Sequence, residues 1–66
     1  MTEREQSLRD MAAEIVFASD DPSFPIAARV AYFVETYEEF SGEPLPVWFD
    51  DEAEAELIEE VARAEA

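Results

Sequence analysis

The sequence predicts an all-α fold: a compact three-helix arrangement with an extended Pro-containing segment between helices 2 and 3. Three observations carry that expectation. Apolar residues recur at helical spacing in three separate stretches. Two Pro-containing breaks, "SDDPSFP" and "SGEPLPVWF", divide those stretches from one another. A short edge strand would fit the second break, but no other run in the chain looks like its partner.

The 66 residues are expected to form one acidic helical domain, 1–66, because a chain this short has no room for a second core. It contains no cysteine and no histidine. That excludes a disulfide staple and removes both the thiolate and the imidazole from any metal site. A chain of this length buries only about 60% of its unfolded surface. An apolar core, extended where necessary by self-association, must therefore hold the fold.

The first helix can start at once, since Thr2 followed by Glu5 has the spacing of a capping box. Leu8, Met11, Ala12, Ile15 and Val16 form its i, i+3, i+4, i+7, i+8 apolar stripe. Phe17 falls opposite that stripe, so either the helix has ended there or Phe17 makes a separate contact. For the second helix, Ser23 or Asp21 can cap, Pro25 suits a first turn, and Gly42 suits a left-handed stop. Ile26, Ala27, Val30, Phe33, Val34, Tyr37 and Phe40 share one side of it, and Arg29, Glu35, Glu38 and Glu39 the other. This helix is expected to be the centre of the core.

The prolines of "EPLPVWF" exclude helix and favour an extended path, with Leu45, Val47, Trp48 and Phe49 laid across the helices as a lid. Asp51 with Glu54 repeats the capping-box spacing and opens the third helix. Its apolar stripe is narrow: Leu57, Ile58, Val61 and Ala64.

Charge is the functional clue. Eighteen acidic residues stand against four arginines, with no lysine, for a formal net charge of -14. Affinity for nucleic acid comes from cations that neutralise phosphates, so no direct nucleic-acid contact is expected. An anionic membrane would repel this chain as well. High net charge also favours disorder, but 48% hydrophobic and 12% aromatic residues argue for a folded chain. The start, "MTEREQSLRD", lacks the apolar stretch of a signal peptide, and no apolar run approaches the ~20 residues of a membrane span. The expected location is cytoplasmic.

The acids fall into clusters. Asp50, Asp51, Glu52, Glu54, Glu56, Glu59 and Glu60 lie within roughly 15 Å of helix at ~1.5 Å per residue. That is on the order of one charge per 2 Å, against one per ~1.7 Å along duplex DNA. Glu35, Glu38, Glu39 and Glu43 form a second cluster, and Asp20 and Asp21 a third. Like charges three or four residues apart cost a few tenths of a kcal/mol each, which suggests a use outside folding. The bland alternatives are a solvated helix face, ordinary capping at a helix start, and adaptation to high salt.

Enzymatic readings have little to stand on. Acid–base work needs carboxylates whose burial pushes their pKa values apart, and these acids sit on polar faces. The six Ser and Thr hydroxyls have no histidine, lysine or thiol to activate them. A calcium loop needs its central glycine, and the only glycine is Gly42. No enzyme activity, no cofactor and no metal site are expected. Phe24, Phe33, Tyr37, Phe40 and Trp48 are most simply core. Trp48 and Phe49 beside Asp50 and Asp51 would alternatively make an aromatic anchor with an acidic rim.

In size, helical pattern, acidic faces and the lack of lysine, histidine and cysteine, the whole chain resembles the small acidic inhibitors encoded by bacteriophages. That type includes DNA-mimic proteins and several anti-CRISPR proteins. The resemblance is one of type and carries no residues over. It implies an inhibitor, in the cytoplasm of a bacterial host, occupying the basic DNA-binding channel of a CRISPR effector or similar nucleoprotein; the chain itself is expected to be a monomer or weak homodimer. The contact surface would then be Glu35, Glu38, Glu39, Glu43, Trp48, Asp50, Asp51, Glu52, Glu54, Glu56, Glu59 and Glu60. The alternative is an interaction module, such as an antitoxin or small subunit, binding through the Leu45–Phe49 apolar patch.

Overall fold

The computed structural model describes residues 2–18 and 23–65. Three helices account for most of them: α1 (Glu3–Ala18), α2 (Ile26–Ser41) and α3 (Asp51–Glu65). No strand occurs among the described residues. The Cα radius of gyration is 11.2 Å.

Helix α1 starts where the Thr2 hydroxyl can accept a hydrogen bond from the Glu5 N–H, at 3.1 Å. That satisfies one of the four donors that a helix start leaves orphaned. Leu8, Met11, Ala12 and Ile15 are buried, with Val16 packed partly against them. The helix continues through Phe17, whose side chain is 93% exposed. Of the two expectations for that residue, the helix has not ended.

Helix α2 is capped two residues after Ser23, the nearer of its two expected caps. Pro25 occupies the N-cap position and contributes no side-chain hydrogen bond. Its preset φ of -58° delivers the chain in a conformation ready for the first turn. The Ser23 cap is therefore corrected, and Asp21 lies outside the described residues. At the other end Gly42 adopts φ 76° and donates its N–H to the Glu38 carbonyl at 2.9 Å. This is the left-handed stop the sequence predicts, and glycine takes it without a Cβ penalty.

The expectation that α2 is the centre of the core is overturned. Only Val30 on α2 is fully buried; Ile26, Phe33, Val34 and Tyr37 are half-buried, Ala27 is exposed, and Phe40 is 79% exposed. The most extensive packing lies between α1 and α3, and α2 rests mainly on α3. Helix α3 is the hub because Ala53, Leu57 and Val61 recur every fourth residue and are all completely hidden. A narrow aliphatic ridge of this kind seats deeply between two neighbours. The wide aromatic stripe of α2 has only one neighbouring face to cover it. Of the other stripe positions on α3, Ile58 is half-buried and Ala64 is exposed.

Residues 42–50 connect α2 to α3 without helix or strand, and turn where the Phe49 N–H donates to the Pro46 carbonyl at 3.0 Å. Trp48 and Phe49 pack partly against the core, with ring centroids 6.0 Å apart. Leu45 is half-buried. Val47 is fully exposed and is no part of a lid, because the turn carries it outward. Helix α3 is capped by Asp50, whose Oδ1 accepts the Ala53 N–H at 2.9 Å. The cap is thus Asp50 rather than Asp51, one residue earlier than expected.

Candidate partner-binding surface

Every arginine of the chain is committed to a glutamate of α3. Arg4 reaches Glu56 at 3.0 Å, Arg9 lies 3.9 Å from Glu60, and Arg63 reaches Glu60 at 2.7 Å. Arg29 forks onto Glu65 with both terminal nitrogens, one of them at 3.0 Å. These are the flanks of α3 that face its neighbours. Arg4 and Arg9 come from α1, Arg29 from α2, and Arg63 from α3 itself. On α1 and α3 the pairs line an open groove of about 560 Å³. Three arginines and four glutamates line it together, so charges of both signs face one another across the α1–α3 junction.

The Arg29–Glu65 fork perturbs both of its members. The hydrogen bond from Arg29, offset by desolvation and aided by charge attraction, holds the Glu65 carboxyl below its usual range. The same bond raises Arg29. The Arg29 side chain is only 12% exposed. It thus leaves the polar face predicted for it and ties the first turn of α2 to the last turn of α3.

The pairing divides the α3 carboxylates into two groups. Glu56 and Glu60 are half-buried and spoken for. Asp50 is engaged as the cap. Asp51, Glu52 and Glu59 are exposed and Glu54 is half-buried, none of them in an ion pair among the described residues. With the charges of Glu56 and Glu60 offset by arginine, five of the seven remain over roughly 15 Å, or about one per 3 Å. That is sparser than the DNA-like spacing.

On α2 the situation is simpler. Glu35, Glu38 and Glu39, and Glu43 just past the helix end, are all exposed, with no cation paired to them among the described residues. Glu38 and Glu39 occupy the last turn, which contains no basic residue. Carboxylates there meet the negative end of the helix dipole as well as one another. Asp20 and Asp21 lie outside the described residues.

Trp48 sits half-buried against the core, with the Arg4 guanidinium 5.8 Å over its ring. Because Arg4 also holds Glu56, Trp48 belongs to a structural chain joining the connector, α1 and α3. Within the Leu45–Phe49 patch, Val47 is the only fully exposed large apolar side chain. The exposed aromatics are elsewhere: Phe17, Phe24, Tyr32 and Phe40. The helical stripe placed Phe40 on the buried side and gave no place to Tyr32, which the i, i+4, i+8 spacing Tyr32–Thr36–Phe40 would have flagged.

Among the described residues no helix is long and apolar enough to cross a membrane, and no group of three or more carboxylates is arranged to hold a metal ion. Comparison with known protein families, with curated proteins and with solved structures finds no match.

Proposed function

We propose that this protein is a non-enzymatic inhibitor that presents a fixed acidic surface to a basic nucleic-acid-binding protein, such as a CRISPR effector complex, and blocks its access to DNA. The observation that supports this reading is the distribution of the arginines. All four are used on α3, which leaves Glu35, Glu38 and Glu39 on α2, Glu43 just past its end, and Asp51, Glu52 and Glu59 on α3 exposed. Carboxylates held this way attract a cationic channel over distance and pair with its arginines at contact. The weight of the surface moves toward α2, since arginines within the chain thin the α3 array.

The test is displacement of labelled duplex DNA from a purified CRISPR effector by the full chain, measured across a salt series. Displacement should weaken steeply as salt rises, because encounter and pairing are both screened. Replacing Glu35, Glu38 and Glu39 by lysine should abolish it, and replacing Glu52 and Glu59 should weaken it. Glu56 is left out of the set because its reversal would break the Arg4 contact. Displacement that ignores both sets of reversals would sink the acidic-surface reading.

A further inference from the structure

We propose that the outward face of α2 docks one specific element of its partner: an amphipathic helix whose apolar ridge is flanked by lysine or arginine. The inference rests on the acidic-surface reading and names the partner element that this surface fits. Tyr32, Thr36 and Phe40 follow one another at i, i+4 and i+8, which on a helix is a single ridge about 12 Å long. Tyr32 is 64% exposed and Phe40 79%. Between them, the Thr36 hydroxyl donates to the Tyr32 carbonyl at 2.8 Å, so its polar group is already satisfied. Glu35 and Glu39 make the adjacent ridge, both exposed.

Aromatic side chains left in water beside unpaired carboxylates have the composition of an interface centre with a charged rim. Charge settles the class of occupant. The one cation of α2, Arg29, is turned onto Glu65, so the flanking acids call for cations from outside. A second copy would bring the same glutamates against each other on chains of net charge -14, so self-association is disfavoured here. A helix is favoured because its own i, i+4 ridge repeats every ~6 Å, the spacing of Tyr32, Thr36 and Phe40.

The experiment titrates the ¹⁵N-labelled full chain with a synthetic leucine–lysine peptide whose leucines fall on one helical ridge, and with a scrambled peptide of the same composition. The patterned peptide should bind about tenfold tighter than the scrambled one, with shift changes concentrated at residues 32–40. Phe40→Ser and Tyr32→Ser should each weaken it by about tenfold, whereas Phe17→Ser, which removes a still more exposed aromatic on α1, should change it by less than about twofold. These variants alter exposed side chains and no charge, and the peptide comparison needs no variant at all. Equal binding of the two peptides, shifts spread over α3, or an equal loss with Phe17→Ser would overturn the docking face and leave the acidic field standing. Loss of a homodimer in sedimentation with Phe40→Ser would overturn it in favour of a second copy. If neither peptide binds at low salt, the docking face and the acidic-surface reading fall together.

Discussion

Leu57 is the largest side chain the fold hides completely, and it lies on the ridge by which α3 meets its neighbours. Truncating such a residue removes apolar burial and leaves a cavity, at a cost of about 2–5 kcal/mol. A domain of this length has a total stability of only roughly 3–10 kcal/mol at the usual ~0.05–0.15 kcal/mol per residue. Leu57→Ala should therefore lose most of its urea midpoint by far-UV circular dichroism, and a midpoint near wild type would show that α3 is not the hub. Asp50 supports a finer test. Its Oδ1 accepts the Ala53 N–H, and losing such a cap costs about 1 kcal/mol. Asp50→Asn removes the same charge but keeps a competent cap, so the difference between Asp50→Ala and Asp50→Asn isolates the hydrogen bond. At position 51 the same pair of substitutions should differ by no more than a few tenths of a kcal/mol, which is the scale of helix propensity alone. Equal differences at the two positions would remove the assignment of Asp50 as the cap.

Among the elements, α2 is held at its start by the fork from Arg29 to Glu65. Folding lowers the Glu65 pKa, mainly through that hydrogen bond. The unfolded carboxyl therefore takes up a proton at a higher pH than the folded one does. The contribution of the fork is complete above the ordinary carboxylate range and disappears as pH falls through the lowered folded value. The stability difference between wild type and Glu65→Gln should accordingly be present at pH 7 and vanish in acid; a difference that grew on acidification would contradict the fork. This tie also marks where sequence legibility stops. The periodicity of Leu8, Met11, Ala12 and Ile15, and of Leu57 and Val61, identified buried positions correctly because aliphatic spacing reports which face seeks cover. It could not rank the helices. The α2 stripe is rich in apolar residues, but burial depends on what neighbour arrives, and only Val30 is fully covered. The caps were ambiguous wherever two competent residues adjoin, as Asp50 and Asp51 do. The positions of the acids were legible at once. Which of them stay unpaired was not, because Arg4 finds Glu56 across 52 positions of sequence, an approach that only tertiary packing sets.

For the whole molecule, salt acts in two opposing directions. It screens the attraction within four arginine–glutamate pairs, and it screens the repulsion of a chain with net charge -14. Partly exposed pairs of this kind are worth roughly 0–1 kcal/mol each, and their partners are so close that moderate salt changes them little. Repulsion, by contrast, is long-ranged. The molecule measures 31 × 28 × 19 Å, and the screening length is about 30 Å at 0.01 M salt but only about 10 Å at 0.1 M. At the lower concentration nearly every carboxylate senses every other; at the higher one only neighbours interact. The melting temperature should thus rise with sodium chloride, with most of the rise complete by about 0.1 M. Lysine at both Glu35 and Glu39, which together remove four units of negative charge, should raise the low-salt melting temperature and flatten its salt dependence. A melting temperature that falls between 0.01 and 0.1 M would mean that the arginine pairs outweigh the surplus of acid. The surface would then be built for its own cohesion, and the case for an external cationic partner would lose its footing.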